Sequence, residues 1–290
     1  MYEKLDECPL CGFSSHSNHL IVDDHSHSQE SFAIVQCPKC SLLYTNPRPE
    51  LSAIGAYYES DNYISHTDSS NNLTHLIYKI ARRFTLNWKR SLISKYSPGK
   101  KMLDYGCGTG DLLALMKQSN WEVVGIEPNH AARDKAVEKG IRVYPELTKD
   151  LDNKFHIITA WHVIEHVHDL LDTIRALRKL LHKNGTLMLA VPNSASYDAA
   201  YYQAYWAGYD VPRHLYHFTP ETFKTLASKT KLKVQEIIPM KLDAFYVSML
   251  SEKYQGNKGA LLRGLQTGLR SNRKAKQTGN YSSLIYVLTK

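Results

Sequence analysis

Short apolar segments alternate with amphipathic segments between residues 101 and 238. The apolar segments have strand lengths, and the amphipathic segments repeat their apolar side chains every three or four residues, as helices do. This alternation predicts an α/β fold in which helices cover both faces of a mostly parallel sheet. The predicted strands are 101–105, 122–127, 141–144, 155–160, 185–191, 234–238 and 283–288. The predicted helices are 78–96, 112–118, 131–138, 169–182 and 220–229.

The composition fits one large soluble domain with a small appendage. The chain has 290 residues, of which 43% are hydrophobic and 22% charged. No stretch approaches the roughly 20 apolar residues that cross a bilayer. Residues 1–10 lack the basic and apolar regions of a signal peptide. We therefore expect a cytoplasmic protein with no membrane partner.

The formal net charge of +8 is unevenly distributed. Residues 251–290 carry eight basic residues and one acid, whereas residues 1–47 carry two basic residues and six acids. The basic run 270–276 fits a solvated loop or a patch that binds a partner or a phosphate. Because the N-terminal segment is acidic, nucleic acid is an unfavourable partner.

Two CxxC pairs lie in the N-terminal segment, Cys8 with Cys11 and Cys37 with Cys40, separated by 25 residues. Zinc prefers four soft donors in a tetrahedron, and each CxxC turn offers two thiolates to one ion. A disulfide is disfavoured without an export signal, and a redox motif needs only one pair. We expect a structural zinc ribbon over residues 1–47, followed by a linker or lid over residues 48–77.

A glycine-rich turn follows the first predicted strand of the sheet. Gly106, Gly108 and Gly110 permit a sharp turn and a close approach of a ligand to the backbone. Glu127 ends the next predicted strand, where it is placed to accept hydrogen bonds from both hydroxyls of a ribose. Asp104 precedes the turn, and its carboxylate would repel a pyrophosphate but suit an amino group and a sulfonium.

At these residues the chain resembles the class I S-adenosylmethionine-dependent methyltransferases. Residues 104–110, 124–127, 155–166 and 185–192 match four of their motifs in order. The resemblance implies seven strands, the last antiparallel beside the fifth, within a methyltransferase domain over residues 78–290. It also implies that S-adenosylmethionine contacts Asp104, Tyr105, Gly106, Cys107, Gly108, Gly110, Glu127, Pro128, Trp161 and His162. Within that set, Asp104 and the glycines would hold the methionine part, and Glu127 the ribose.

The run from His162 to His166 reads His-Val-Ile-Glu-His and allows other interpretations. It formally fits a zinc-hydrolase pattern, but here it follows a predicted strand of the methyltransferase fold. Quinone-pathway O-methyltransferases use a similar ExxEH stretch to hold a divalent metal. In this chain the first acid of that stretch is His162.

An aromatic segment after the fifth strand, residues 193–219, is the candidate acceptor site. Ligands of open α/β sheets bind beyond the carboxyl ends of the strands, where this segment emerges. We expect it to close over the acceptor, with His214 or His217 as a candidate base and Arg213 as a candidate anion anchor. A second insertion, residues 241–280, would complete the pocket or form a dimer contact.

The expected function is transfer of a methyl group from S-adenosylmethionine to a small-molecule or glycan or lipid-precursor acceptor. The layout is similar to C-methyltransferases of nucleotide-linked sugars and to quinone-type O-methyltransferases. One alternative is an RNA or protein methyltransferase whose zinc ribbon docks the substrate. The other alternative is a non-catalytic protein that binds S-adenosylmethionine. The sequence leaves the oligomeric state open.

Overall fold

The computed structural model describes residues 1–58, 73–148, 151 and 154–290, and of residues 73–82 only the backbone. In chain order the strands are β1 (Tyr2–Glu3), β2 (Ser17–Asp23), β3 (Ser31–Gln36), β4 (Leu43–Thr45), β5 (Arg48–Pro49), β6 (Lys101–Tyr105), β7 (Glu122–Ile126), β8 (Arg142–Tyr144), β9 (Phe155–Trp161), β10 (Leu181–Pro192), β11 (Tyr216–His217), β12 (Lys233–Pro239) and β13 (Ser283–Thr289). The helices are α1 (Leu73–Tyr96), α2 (Asp111–Gln118), α3 (His130–Glu138), α4 (Leu170–Leu180), α5 (Tyr197–Tyr202), α6 (Pro220–Lys229), α7 (Asp243–Tyr254) and α8 (Ala260–Thr278).

The main sheet has seven strands in the order β12-β13-β10-β9-β6-β7-β8. Strands β6 to β10 run parallel to one another, and β13 runs antiparallel to both β10 and β12. The predicted Rossmann-like sheet with an antiparallel last strand beside the fifth is therefore confirmed. The parallel strands all end at one edge, so the turns that follow β6, β7 and β9 are neighbours.

Successive residues of the central strands pack into two different cores. Leu103, Ile158 and Leu189 belong to the larger cluster of buried apolar side chains. Their neighbours Met102, Ile157 and Met188 belong to a second cluster on the opposite face. Because side chains alternate along a strand, an unbroken apolar run fills both cores at once.

The junction between α4 and β10 differs from the sequence prediction. The helix ends at Leu180 rather than at residue 182, and the strand begins at Leu181 rather than at residue 185. The polar residues at 183 and 184 have no strand-like pattern, so the sequence predicts a loop between the helix and the strand. The structure instead extends the strand by pairing Leu181 with Phe155 before a register shift.

A second sheet joins the N-terminal segment to the aromatic segment after β10. Its order is β11-β4-β3-β2, in which Tyr216 pairs with Tyr44 and His217 with Leu43. Residues of both segments also form one buried apolar cluster, which includes Val22, Phe32, Ile34, Leu43, Tyr202, Trp206 and Tyr209. The expected zinc ribbon, residues 1–47, and the expected insert, residues 193–219, therefore share a sheet and a core.

The expected linker or lid, residues 48–77, lies partly outside the described residues. Its first part contains β5, which pairs with β1, and a 3₁₀ turn over Ile54–Tyr58. The expected insertion, residues 241–280, contains the helices α7 and α8. No helix among the described residues is long and apolar enough to span a membrane.

Candidate active site

The turn between β6 and α2 depends on its glycines. Gly106 and Gly110 have φ angles of 76° and 73°, in the left-handed region that favours glycine. A Cβ at Gly106 would lie 2.4 Å from Cγ2 of Val163, and a Cβ at Gly110 2.7 Å from Cβ of Ala136. At Gly108, by contrast, a Cβ would meet no atom within 4 Å. The turn is thus tightly packed at both ends and open in its middle.

Glu127 follows β7 directly beside this open space. Its carboxylate accepts hydrogen bonds from the backbone amides of Gly108 (2.8 Å) and Asn129 (2.9 Å). The side chain is therefore held against the turn, and the residue is only 9% exposed. Pro128 follows on the surface, and its carbonyl accepts a hydrogen bond from Arg133.

Asp104 ends up buried at the carboxyl end of β6. Thr159 of β9 donates a hydrogen bond to its Oδ1. Burial raises the pKa of Asp104 to about 7, despite the opposing effects of the Thr159 hydrogen bond and the charge of Lys89. The carboxyl group therefore changes its charge near neutral pH.

Lys89 of α1 is a residue of this site that the sequence did not indicate. Its Nζ lies 4.1 Å from the centre of the Trp161 ring. Burial lowers the pKa of Lys89, whereas the carboxylates of Asp104 and Asp243 oppose that shift. The amine of Lys89 therefore lies where the ends of β6 and β9 meet helix α7.

His162 follows β9 with a φ of 56° and lies between two acids. Its Nε2 is 3.1 Å from Oδ2 of Asp243, and its Nδ1 is 3.4 Å from Oε1 of Glu165. Desolvation alone would lower the pKa of His162, but the hydrogen bond with Asp243 and the negative charges of Asp243 and Glu165 raise it to about 9. The imidazole is therefore charged at neutral pH.

Glu165, His166 and His214 form a cluster next to His162. Their ligand atoms all lie within 4.8 Å of one another. The backbone holds the cluster together, because the amide of Leu215 donates to the carbonyl of Glu165 at 2.7 Å. Apart from the 3.4 Å ion pair of Oε1 with Nδ1 of His162, neither carboxylate oxygen of Glu165 has a partner among the described residues.

Both histidines of this cluster point the same nitrogen at a backbone carbonyl. Nδ1 of His166 lies 3.0 Å from the carbonyl of Arg213, and Nδ1 of His214 lies 2.9 Å from that of Gly208. Since a carbonyl only accepts, Nδ1 carries the proton in the neutral rings, and each Nε2 keeps a lone pair. Burial is the main cause that lowers the pKa of His166 to about 4, so this ring is neutral at neutral pH.

Arg213 and His217 serve the packing of the insert. The Arg213 guanidinium donates to Asp24 at 2.8 Å, to Asp210 at 2.7 Å and to the carbonyl of Tyr57 at 3.0 Å. Every guanidinium nitrogen already has an acceptor, which disfavours the expected role of Arg213 as an anion anchor. His217 is buried with Nε2 3.2 Å from Oγ1 of Thr45, and burial keeps its pKa well below the usual value.

The comparisons with known proteins agree with this arrangement. A family model described as a methyltransferase domain matches residues 73–237, more than half of the chain. The chain belongs to the methyltransferase-domain family. The resemblance to S-adenosylmethionine-dependent methyltransferases and the expected enzyme class are therefore confirmed.

Curated relatives of this methyltransferase include two ubiquinone biosynthesis O-methyltransferases. The one from Haemophilus ducreyi is 35% identical over 109 residues, which cover 33% of this chain and 46% of the relative. The one from Pseudomonas aeruginosa is 34% identical over 105 residues, which cover 33% of this chain and 45% of the relative. The matched part thus spans less than half the length of these relatives.

Solved structures show the same fold at low sequence identity. A geranyl diphosphate C-methyltransferase from Streptomyces coelicolor A3(2) gives a TM-score of 0.53 at 11% identity, over 79% of this chain and 88% of that chain. An O-methyltransferase of a Brevibacillus brevis multienzyme, in complex with S-adenosyl-L-homocysteine, gives 0.51 at 15% identity, over 74% and 75%.

The four cysteines of the methyltransferase's N-terminal segment converge on one point. Sγ of Cys8 lies 3.5 Å from that of Cys40, and Sγ of Cys11 lies 3.5 Å from that of Cys37. A tetrahedral zinc ion with bonds of about 2.3 Å sets its sulfurs about 3.8 Å apart, so the cluster fits zinc. The two CxxC turns repeat the same backbone bonds, from Gly12 to Cys8 and from Ser41 to Cys37.

The expected cofactor residues thus gather at one edge of the sheet, while part of the expected acceptor wall is buried. Three of its aromatic side chains, Tyr202, Trp206 and Tyr209, are buried in the core shared with the N-terminal sheet. Cys107 packs on Gly125, because a Cβ added to Gly125 would lie 2.5 Å from Sγ of Cys107. Tyr105 is half-buried at the end of β6.

Proposed function

We propose that this methyltransferase acts on a small-molecule or glycan or lipid-precursor acceptor, bound between the β6–α2 turn and the cluster of Glu165, His166 and His214. The observation that carries the proposal is the convergence of these three side chains beside His162. Buried groups with free lone pairs at the carboxyl edge of the sheet suit a compact polar acceptor.

The chain's own residues would position the reactants. Asp104 would face the amino end of the cofactor, and Glu127 would accept hydrogen bonds from its ribose. Bound S-adenosylmethionine supplies an electrophilic methyl group on a sulfonium. The protein then needs to align the acceptor atom with the carbon–sulfur bond and to exclude water from it.

We assign the proton acceptor to His214 rather than His217. Nε2 of His214 keeps its lone pair, whereas His217 lies in the core against Thr45 and Tyr209. A hydroxyl or amine acceptor would pass its proton to this nitrogen as the methyl group arrives. Arg213 would act as a positioning residue, because its bonds to Asp24 and Asp210 fix the run that carries His214.

A divalent metal held by Glu165, His166 and His214 is a second candidate role for the same cluster. The buried carboxylate oxygens of Glu165 without hydrogen-bond partners favour it, as do two histidines whose Nδ1 is fixed by a carbonyl. Such an ion would lower the pKa of an acceptor hydroxyl.

The test is methyl transfer to a panel of phenol, amine and sugar-nucleotide acceptors, measured as S-adenosylhomocysteine release. For the acceptor that reacts, we expect His214→Ala to lower kcat by about 100-fold or more, with His217→Gln as the control. Wild-type turnover by His214→Ala would refute the base assignment. If a chelator abolished activity and Mg²⁺ or Mn²⁺, which four thiolates do not favour, restored it, the metal role would replace the base role for this cluster.

A macromolecular acceptor is the alternative, and the charge of the N-terminal segment disfavours RNA. Residues 1–47 carry six acids and two basic residues, and four zinc-bound thiolates would add negative charge. RNA binding that weakened steeply with added salt would favour the RNA reading.

A further inference from the structure

Helix α8 exposes a stripe of leucines that the protein core does not use. Leu261, Leu265 and Leu269 are spaced by four residues and so lie on one face, and Leu262 lies beside them. These four side chains are between 42% and 68% exposed. We call this set the leucine stripe. Water-exposed leucines in such a row are unfavourable unless another apolar surface covers them.

The opposite side of α8 already packs against the rest of the protein. Gly264 and Gly268 face α7, and a Cβ on them would lie 2.5 Å from Cα of Met249 and 2.7 Å from Cδ1 of Phe245. Ser271 donates a hydrogen bond of 2.6 Å to Asp198. The helix is therefore held by its small residues, which orients the leucine stripe away from the core.

The exposed surface of α8 is also strongly basic. Its 19 residues contain no acid, and its basic side chains are all exposed: Arg263, Arg270, Arg273, Lys274 and Lys276. Arg273 and Lys276 lie four and seven residues after Leu269, and so continue the leucine stripe towards the end of the helix. Apolar side chains bordered by arginine and lysine suit an anionic, oily surface.

We propose that α8 binds the surface of a bilayer that contains anionic lipids. The leucine stripe enters the boundary between headgroups and acyl chains, and the basic side chains contact lipid phosphates. The helix lies in the plane of the surface, so it needs no membrane-spanning segment. This differs from the expectation of no membrane partner, which rests on the lack of such a segment. The inference does not depend on the identity of the acceptor.

The charge of α8 and its leucines favour an anionic bilayer over two other partners, a second copy of the chain and a nucleic acid. A symmetric contact between two copies through the leucine stripe would bring ten basic side chains together, with no acid of α8 to offset them. A nucleic acid would attract the basic side chains but would leave the leucines in water. An anionic bilayer satisfies both features of the helix.

The experiment is flotation of the full-length protein with vesicles of phosphatidylcholine, with or without phosphatidylglycerol. We expect binding to the anionic vesicles that weakens with added NaCl, and little binding to the neutral ones. Replacing Arg270, Arg273 and Lys274 together by Gln should lower partitioning roughly 100-fold. The double variant Leu262→Ser and Leu265→Ser should lower it by at least about tenfold.

Matched controls come from equally exposed residues elsewhere. Leu51→Ser and Lys224→Gln should leave partitioning unchanged, because Leu51 is 69% exposed and Lys224 lies on α6. Circular dichroism verifies that each variant is folded. Equal binding to neutral vesicles, or leucine variants that bind like the wild type, would overturn the proposal. A stable dimer that the leucine variants dissociate, together with no vesicle binding, would also overturn it.

Discussion

At the scale of single residues, the predicted cofactor site contains several ionisable side chains whose pKa values are shifted by burial. Asp104 is buried and interacts electrostatically with Lys89 and Glu127. Asp243 links Lys89 to His162, which the two neighbouring acids keep charged. A cationic ligand at the glycine turn would therefore lie near the carboxyl group of Asp104, which ionises near neutral pH.

The affinity for S-adenosylmethionine should depend on pH through Asp104. Its pKa is raised to about 7, and only the ionised carboxylate attracts a cation, so affinity should fall as pH drops below 7. We expect binding about tenfold weaker at pH 6 than at pH 8. Calorimetric titration at both pH values measures this difference. In Asp104→Asn the difference should disappear, and its persistence would assign the titration to another group.

At the scale of elements, the ion pair of Asp24 with Arg213 fastens the N-terminal sheet to the insert. Asp24 lies in the turn after β2, where its carboxylate also accepts the backbone amide of Ser28. Burial would raise the pKa of Asp24, but hydrogen bonds from Arg213 and Ser28 outweigh it and hold the pKa well below its usual range. Removing this carboxylate leaves a buried guanidinium with Asp210 as its remaining acid.

Asp24→Asn should therefore destabilise the fold by about 2 to 4 kcal/mol at pH 7. Because the folded pKa is depressed, this contribution is present above the unfolded value of about 3.9 and is lost as pH falls through the folded value. Urea unfolding at pH 7 measures the loss. Asp23→Asn is the control, since the neighbouring Asp23 is exposed. Equal stability of both variants would contradict a structural role for the ion pair.

At the scale of the whole molecule, half of the cysteine cluster lies in the connection between two strands of the sheet that contains β11. Cys37 follows β3 and Cys40 precedes β4, and β4 pairs with β11 near His214. We infer that zinc at this cluster supports the acceptor side of the site as well as the N-terminal fold.

Purified protein should contain about one zinc ion per chain. Cys8→Ser should lose the metal and lower Tm by about 5 °C or more, because four-thiolate sites contribute directly to folding. Cys107→Ser is the matched control, since this fifth cysteine lies in the glycine turn. Elemental analysis with thermal unfolding measures both effects. A wild-type protein without zinc, or a Cys8→Ser variant with the same Tm as the wild type, would refute the assignment.

The main sheet was predictable because its signals are local. Strand β6, the glycines after it and the unbroken apolar run of β10 each show their structure within a few residues. The pairing of β11 with β4 was not predictable, because it joins short strands more than 160 residues apart in sequence.

The missed site residues have weaker signals. Lys89 lies one helical turn before the fully buried Ile93, and a lysine on the apolar face of a helix is a hint of a buried role. Asp243 shows no such pattern, because its role depends on how α7 docks beside β9. The sequence did not indicate that Tyr202, Trp206 and Tyr209 of the insert pack into a core shared with the N-terminal sheet, because aromatic side chains suit a core and a pocket wall alike.

The central claim is that Glu127 holds an adenosyl ligand beside the glycine turn, and one calorimetric titration tests it. Titrating S-adenosylhomocysteine into wild-type protein should show one site per chain. With Glu127→Ala the affinity should fall by roughly 10- to 100-fold, since a charged acceptor of hydrogen bonds is lost. A wild type that does not bind, or a Glu127→Ala variant that binds equally well, would contradict the account.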